Sequence, residues 1–339
     1  MVLPNGSRRL QLRAVSRYQA ATFKKLAVRT AVGLVVRLGF AERVFETTLD
    51  PVPENWDFQR FLIELQSEFA GQKLFPFIVW PSQTGRGRIY IHLLRSDGNP
   101  VAFVKLALDE VNGQQLCHEA QVLRQLHKEH PFRFRVPQVL AQGRFQTKRF
   151  LAVEPLASHA RPMRSQWGNK AYPAQSVAEY QGTVRTIGPE QLLKQSWYTA
   201  AREWVEHGQT THHRLDAYET EQTNVCRVHG DFGPANLAYV DGQLWIVDWE
   251  ASSECGPLLT DPVSFYLAGH TQQVQRSPQA AVRQLAQTML AKIPSVSSRD
   301  VALALMYLHT VGLPSATILL QAWYVDEVDT ITKTKPMQH

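Results

Sequence analysis

The period of the apolar positions changes along the chain. Residues 55–70 (NWDFQRFLIELQSEFA) repeat apolar side chains at helical spacing and predict an amphipathic helix ending near Gly71. Phe75–Trp80, Ile89–Leu94 and Val101–Leu106 are short apolar runs of strand length. Asp97-Gly98-Asn99-Pro100, between the last two, is a strong turn signal and predicts a hairpin. Residues 114–128 return to helical spacing, with Leu116, Ala120, Leu123 and Leu126 on or near one face. Val136–Leu140 and Phe150–Val153 read as two further strands. From about residue 175 the pattern is helical, interrupted once, over 225–249, by strand and loop. The order predicts an α+β chain in two lobes, a small β-rich one and then a larger α-helical one. A length of 339 residues fits that division. The expected boundaries are an extension over 1–50, a first lobe with its preceding helix over 51–153, and a connector with the helical lobe over 154–339.

One stretch calls for a choice between core and bilayer. Val301 to Val325 contains no Asp, Glu, Lys or Arg and is long enough to span a membrane. Gly312-Leu313-Pro314 lies in its middle, and His309, Thr310 and Gln321 are scattered through it. A proline there removes a backbone donor and breaks the helix, so the run reads as two buried helices.

Composition narrows the class without identifying the chemistry. Hydrophobic residues make up 44% and charged residues 19% of the chain, enough apolar material for a core and too much for a disordered chain. Three widely spaced cysteines, Cys117, Cys226 and Cys255, fit a reduced cytoplasmic protein and offer no zinc spacing. The net charge of +6 is concentrated at one end. Residues 1–45 carry nine Lys/Arg (Arg8, Arg9, Arg13, Arg17, Lys24, Lys25, Arg29, Arg37, Arg43) against one acid, Glu42. The remainder is therefore net acidic, and the basic balance is no argument for nucleic-acid binding. The extension reads either as a solvated arm or helix packed on the body, or as a peripheral contact with anionic lipid.

The chemistry is concentrated in 228–250, VHGDFGPANLAYVDGQLWIVDWE. It reads as a loop, a strand (Leu237–Val240), a tight Asp241-Gly242 turn and a strand (Leu244–Val247) ending at Asp248. Asp231, Asn236 and Asp248 can gather two carboxylates and an amide around a hard cation such as Mg²⁺, which prefers oxygen ligands and substrate phosphates. Phosphoryl transfer needs such an ion, and a carboxylate to orient the attacking hydroxyl.

HGDFGPAN followed by VDWE resembles the signature of the aminoglycoside phosphotransferase and choline kinase family, which has a protein-kinase-like fold. The family pattern, His-x-Asp-x-x-x-x-Asn and then a hydrophobic-Asp-aromatic-Glu step, is matched at each position. The resemblance covers roughly residues 75–325 and leaves out the basic arm. It implies Asp231 as catalytic base, His229 as a brace of the loop, and Asn236 and Asp248 as Mg²⁺ ligands. It also implies a strand lysine paired with a helix glutamate, the lysine being shared with the phosphates of ATP. Lys105 stands in the apolar strand VAFVKLAL, on the face of Val101 and Phe103 by alternation. Glu119 precedes Leu123 by four and Leu126 by seven, which places it on the apolar face of its helix. Two inward charges are costly unless paired, and each supplies the other's partner. Gly85 and Gly87, in Ser82-Gln83-Thr84-Gly85-Arg86-Gly87, are candidates for a loop over the phosphates or glycines of a plain hairpin loop. Glu154 to Leu156 match, by position, the connector that holds adenine in the family. Asp261, before Pro262, is expected to tie the helical lobe to the catalytic loop.

Only a dozen residues separate Asp248 from Asp261, which leaves no room for a peptide-docking segment. The expected reaction is therefore transfer from ATP to a hydroxyl of a small molecule such as a sugar or amino alcohol, with Mg²⁺. Residues 262–339 hold four acids and six Lys/Arg, not the acid-rich lining that a polycationic aminoglycoside calls for. Trp167, Tyr172, Trp197, Trp204 and Trp323 are candidates for acceptor walls, although aromatics in helices more often belong to the core. His207, His212 and His213 read as solvated surface rather than a metal cluster. The alternative is a catalytically inactive, pseudokinase-type module that binds a nucleotide or a partner. Its expected mark, a missing equivalent of Lys105, Asp231 or Asp248, is absent.

Overall fold

The β-rich part is built on a hairpin. Strands β2 (Arg88–Leu94) and β3 (Pro100–Ala107) pair antiparallel across the Asp97–Asn99 turn. Gly98 takes φ +81°, and the Asn99 N–H donates to Asp97 Oδ1 at 2.8 Å, so the turn is closed by its own side chain. The computed structural model describes residues 3–4, 6–17, 23–40, 57–69, 71–79, 87–129, 132–163, 172–208 and 218–325. The α+β class expected from the pattern is the class observed. The chain divides into two compact units: residues 1–129, 136–161 and 240–242, and residues 130–135, 162–239 and 243–339.

In the first unit β1 (Phe75–Val79), β5 (Val139–Phe145) and β6 (Lys148–Val153) complete a five-stranded antiparallel sheet, in the order β1-β2-β3-β6-β5. One face carries Ile89, Ile91, Leu93, Ala102, Val104, Leu106, Phe150 and Ala152, all buried. Helix α3 (Phe58–Ser67) covers it with Phe58, Phe61 and Leu65 at helical spacing. Phe61 meets Phe150 edge-on at 5.7 Å. Asp57 caps this helix by accepting from the Arg60 N–H at 2.9 Å.

The opposite face holds α1 (Arg8–Ser16) and α4 (Glu110–Lys128). Leu10 and Ala14 of α1 bury against Phe77 and Leu94, and Arg13 donates to the Asp97 carbonyl at 2.7 Å. Helix α2 (Phe23–Arg37) packs on α1 through Val15, Val32 and Val36. The basic extension therefore contributes two helices, one of them to the sheet's core. Helix α4 begins four residues before the expected 114, because Asp109 caps it by accepting from the Asn112 N–H at 2.8 Å.

The strand expected at Val136–Leu140 is displaced. Pro137 has no N–H for a ladder and restricts Val136, so β5 starts at Val139, while β4 (Phe134–Arg135) pairs parallel with β11 (Gln243–Ile246) instead.

Strands β10 (Leu237–Val240) and β11 (Gln243–Ile246), which apart from residues 240–242 belong to the second unit, form the hairpin expected around Asp241-Gly242, both residues at positive φ. They share a four-stranded sheet with β4 and β7 (Arg161–Pro162). Strands β8 (Arg185–Ile187), β9 (Thr223–Val228) and β12 (Ser253–Pro257) form a separate three-stranded sheet. The strand content of this unit is thus wider than the single interruption at 225–249. Helices α5 (Ala174–Gln181), α6 (Pro189–Leu193) and α7 (Ser196–Gly208) precede β9. Helices α8 (Thr260–Arg276), α9 (Pro278–Lys292), α10 (Ser298–Thr310) and α11 (Pro314–Val325) follow β12. Every residue of Val301–Leu308 is buried, so α10 is apolar all round because protein surrounds it. Gly312, at φ +85°, separates α10 from α11 as the Gly-Leu-Pro break predicts. Among the described residues no helix is long and apolar enough to cross a membrane.

Candidate functional site

The residues singled out from the sequence fall in both units. In the first, the register aligns Tyr90, Lys105 and Leu151 across β2, β3 and β6, on the face that α4 covers. Lys105 Nζ lies 2.8 Å from both carboxylate oxygens of Glu119, and both side chains are 2% exposed. Both charges are almost wholly out of solvent, and each neutralises the other.

Gly87 immediately precedes β2, and its carbonyl accepts from the Leu108 N–H at 2.7 Å. A Cβ there would overlap the Asp109 carboxylate, which gives this glycine a packing reason of its own. Gly85 lies outside the described residues. Past β6, the Glu154 N–H donates to the Gln138 carbonyl at 2.8 Å, and the Leu156 carbonyl accepts from Arg17 at 2.6 Å. Arg17, just past α1, was read from the sequence only as a charge of the arm, and its partner is 139 residues away. Burial, and then Arg13 nearby, lower its pKa.

His92 lies on the same sheet face, 4.9 Å from the Phe103 ring and 5.6 Å from Phe77. Burial, with a contribution from the Arg17 charge, lowers its pKa to about 3, so it is neutral at ordinary pH.

In the second unit the loop after β9 brings together His229, Asp231 and Asn236. The His229 ring is buried, with Nε2 2.9 Å from the Val247 carbonyl and Nδ1 3.3 Å from the Asp231 N–H. A neutral ring with its proton on Nε2 satisfies both contacts and ties the loop to the end of the hairpin. Trp249 packs on this ring at 4.7 Å. Asn236 Nδ2 donates to the Asp231 carbonyl at 2.8 Å and to its carboxylate Oδ2 at 3.0 Å. The Asp231 side chain is exposed and is held at one carboxylate oxygen by Asn236. Asn236 stands in the 3₁₀ turn Pro234–Asn236, and its carbonyl accepts from the Val247 N–H at 3.0 Å. Asp248 follows with φ +65°, ψ +59°, the left-handed region that Asp tolerates better than most residues.

Asp261 holds this loop from beneath. It is completely buried and accepts from the His229 N–H and the Gly230 N–H, each at 2.9 Å, and from the Tyr180 hydroxyl at 2.7 Å. Burial raises its pKa, opposed by the hydrogen bonds from the His229 N–H, the Tyr180 hydroxyl and the Gly230 N–H. Gly230, at φ +84°, lies so close to the Ala251 carbonyl that a Cβ would overlap it. Tyr180 carries no sequence signal for this role, because an aromatic at helical spacing reads as core.

Asn236 and Asp248 carry oxygen atoms of the kind a hard cation takes, and the Asn236 oxygen takes no part in its two Nδ2 bonds. Among the described residues no cluster of three or more His, Cys, Asp or Glu is poised for a metal. His207 Nδ1 turns back to the Glu203 carbonyl at 2.6 Å, and His212 and His213 lie outside the described residues. Trp197 and Trp323 are core, and Trp167 also lies outside the described residues.

No family model matches the chain, and no curated protein matches it. Among solved structures it is similar to an aminoglycoside phosphotransferase in complex with GDP and kanamycin, with 13% identity, a TM-score of 0.46, and coverage of 81% of this chain and 99% of that one. The GDP complex of wild-type aminoglycoside 2'-phosphotransferase-IIIa matches with 12% identity and a TM-score of 0.44, over 81% and 100% of the two chains. A point mutant of the same enzyme, also with GDP, matches with 12% identity and a TM-score of 0.45, over 81% and 98%.

Proposed function

We propose that the protein is a phosphotransferase of the protein-kinase-like type that moves the γ-phosphate of ATP to a hydroxyl of a small molecule. The observation that carries the reading is the loop around Asp231. An exposed carboxylate is oriented by Asn236 on a backbone that the fully buried Asp261 holds at two consecutive N–H groups. A carboxylate so placed can accept a hydrogen bond from an acceptor hydroxyl and take its proton as the oxygen attacks phosphorus. Asn236 and Asp248 would hold Mg²⁺, which neutralises phosphate charge when bound. His229 braces the loop through the Val247 carbonyl. In the first unit Glu119 holds the Lys105 ammonium in place for the phosphates.

The Arg17 contact favours a second reading. The Leu156 carbonyl, in the stretch matched by position to the adenine connector, already accepts from a guanidinium. A binding module without turnover is the reading to which that contact lends weight.

The test is a thermal-shift titration with Mg²⁺–ATP and Mg²⁺–GTP, wild type beside Asp248→Asn, followed by phosphate release with a panel of hydroxyl acceptors. Ligand at a hundred times its Kd raises stability by about 2.7 kcal/mol. A Mg²⁺-dependent shift lost in the variant, with turnover lost in Asp231→Asn, is the expected result. Turnover retained in Asp231→Asn removes the base assignment. No shift with either nucleotide, from folded protein, favours the module.

A further inference from the structure

The helical pair α1–α2 presents a surface that the transfer reading does not use. Four large apolar side chains lie exposed within the short span 28–40: Val28 at 46%, Leu34 at 56%, Leu38 at 59% and Phe40 at 47%. They do not form the buried side of α2, which consists of Val32 and Val36 against α1. Ala27, Ala31, Leu34 and Leu38, spaced i, i+4, i+7, i+11, form a second apolar stripe on the same helix, and all four are exposed. The end of the stripe is held by backbone geometry. The Phe40 N–H donates to the Val35 carbonyl and the Gly39 N–H to the Val36 carbonyl, both at 3.1 Å, with Gly39 at φ +81°. Leu38 and Phe40 are thus held at the helix terminus rather than loose in a tail.

Among the described residues of 1–40 the charged side chains are all basic. Arg8, Arg9 and Arg37 are exposed and Arg29 is half-buried. The first acid in the chain is Glu42. A protein partner of ordinary composition would have to supply a one-sided acidic rim around an apolar strip. An anionic bilayer supplies both, acyl chains for the leucines and headgroups for the arginines. We propose that α2 docks the protein on an anionic lipid surface, with the Ala27–Leu38 stripe and Phe40 at the headgroup–acyl boundary and Arg8, Arg9 and Arg37 among the headgroups. The helix lies in the plane of the membrane, since its 15 residues are too short to cross one. The proposal is independent of the transfer chemistry.

Sedimentation of the full chain with vesicles tests it, using phosphatidylcholine alone and phosphatidylcholine with phosphatidylserine at about 0.1 M salt. Leu34→Glu and Arg9→Glu/Arg37→Glu are compared with wild type, their folding checked by thermal denaturation. The proposal expects binding to the anionic vesicles only, lowered about tenfold or more by either variant and weakened by salt. It is overturned if the wild type stays in the supernatant with anionic vesicles. Equal binding to neutral vesicles, or wild-type binding by the folded Leu34→Glu protein, also overturns it. A concentration-dependent dimer that Leu34→Glu abolishes, without vesicle binding, would assign the stripe to a second copy of the chain instead.

Discussion

Replacing Glu119 by Leu leaves the Lys105 ammonium in a site where 2% of its side chain meets solvent and both hydrogen-bonded oxygens, each at 2.8 Å, are gone. Removing one partner of a buried pair costs about 3–5 kcal/mol. Lys105→Met strands the carboxylate instead and should cost a similar amount. The double variant Lys105→Met/Glu119→Leu fills the same space with apolar atoms and leaves no charge behind. Its stability is expected within about 1 kcal/mol of wild type, or above it, since buried ion pairs are often replaced by apolar groups without loss. The singles thus sum to far more than the double, a coupling of at least about 3 kcal/mol, measurable by urea unfolding in a double-mutant cycle. The same proteins separate structure from function. The double variant should fold like wild type yet lose the Mg²⁺–ATP thermal shift, because the charge offered to phosphate is gone. A cost below about 1 kcal/mol for Glu119→Leu, the range of an exposed pair, would refute the buried geometry. A wild-type nucleotide shift in the double variant would refute the role given to Lys105.

His92, with its pKa lowered to about 3 by burial, binds a proton more readily unfolded than folded. Its contribution is complete above about pH 6.5 and falls on acidification, by about 2 kcal/mol at pH 5. In His92→Phe that loss between pH 8 and pH 5 should shrink by this amount in urea titrations. Gly230→Ala meets the Ala251 carbonyl at a positive φ, so thermal denaturation should show a loss of about 2 kcal/mol or more. Asp261→Ala leaves two buried N–H groups and the Tyr180 hydroxyl without their acceptor, and urea unfolding should show a loss of about 3 kcal/mol or more. On the transfer reading, Arg17→Ala frees the Leu156 carbonyl and should tighten ATP about tenfold, the scale of one charged hydrogen bond. Unchanged or weaker affinity by calorimetry would show that Arg17 does not compete with the base.

Local chemistry made much of this legible. The Asp97–Asn99 turn, the Asp241-Gly242 turn and the Gly312 break each rest on a backbone conformation that few residues favour. The Lys105–Glu119 pairing was readable because two charges in apolar patterns each need a partner. What escaped depends on distant contacts. Helix α1 is mostly polar and charged, and only the arrival of Phe77 and Leu94 makes Leu10 and Ala14 into core. The Arg17–Leu156 bond joins the arm to a segment that the pattern treats as unrelated. The sheet of β8, β9 and β12 is assembled from short strands spread over seventy residues, and no local periodicity announces it.

The loop after β9 shows how environment separates two carboxylates of identical chemistry. Asp261 is fully buried and spends its oxygens on the N–H groups of His229 and Gly230 and on the Tyr180 hydroxyl. Those bonds are worth most where the dielectric is low, so its contribution is to hold backbone. Asp231, one residue past Gly230, has the opposite setting. Its N–H is engaged by His229 and one carboxylate oxygen by Asn236, while solvent reaches the side chain. An exposed acid held at the backbone and at one oxygen has lost most of the freedom that a substrate would otherwise have to take from it. The buried acid gives the exposed one its position, and Gly230 makes the arrangement possible by letting the chain pass against the Ala251 carbonyl. The same logic separates the two ends of the β10–β11 hairpin. Asp241 sits exposed at its tip, where the turn alone requires it, whereas Asp248 sits at its base beside the buried Trp249 in a backbone conformation that a merely structural position would more economically give to glycine.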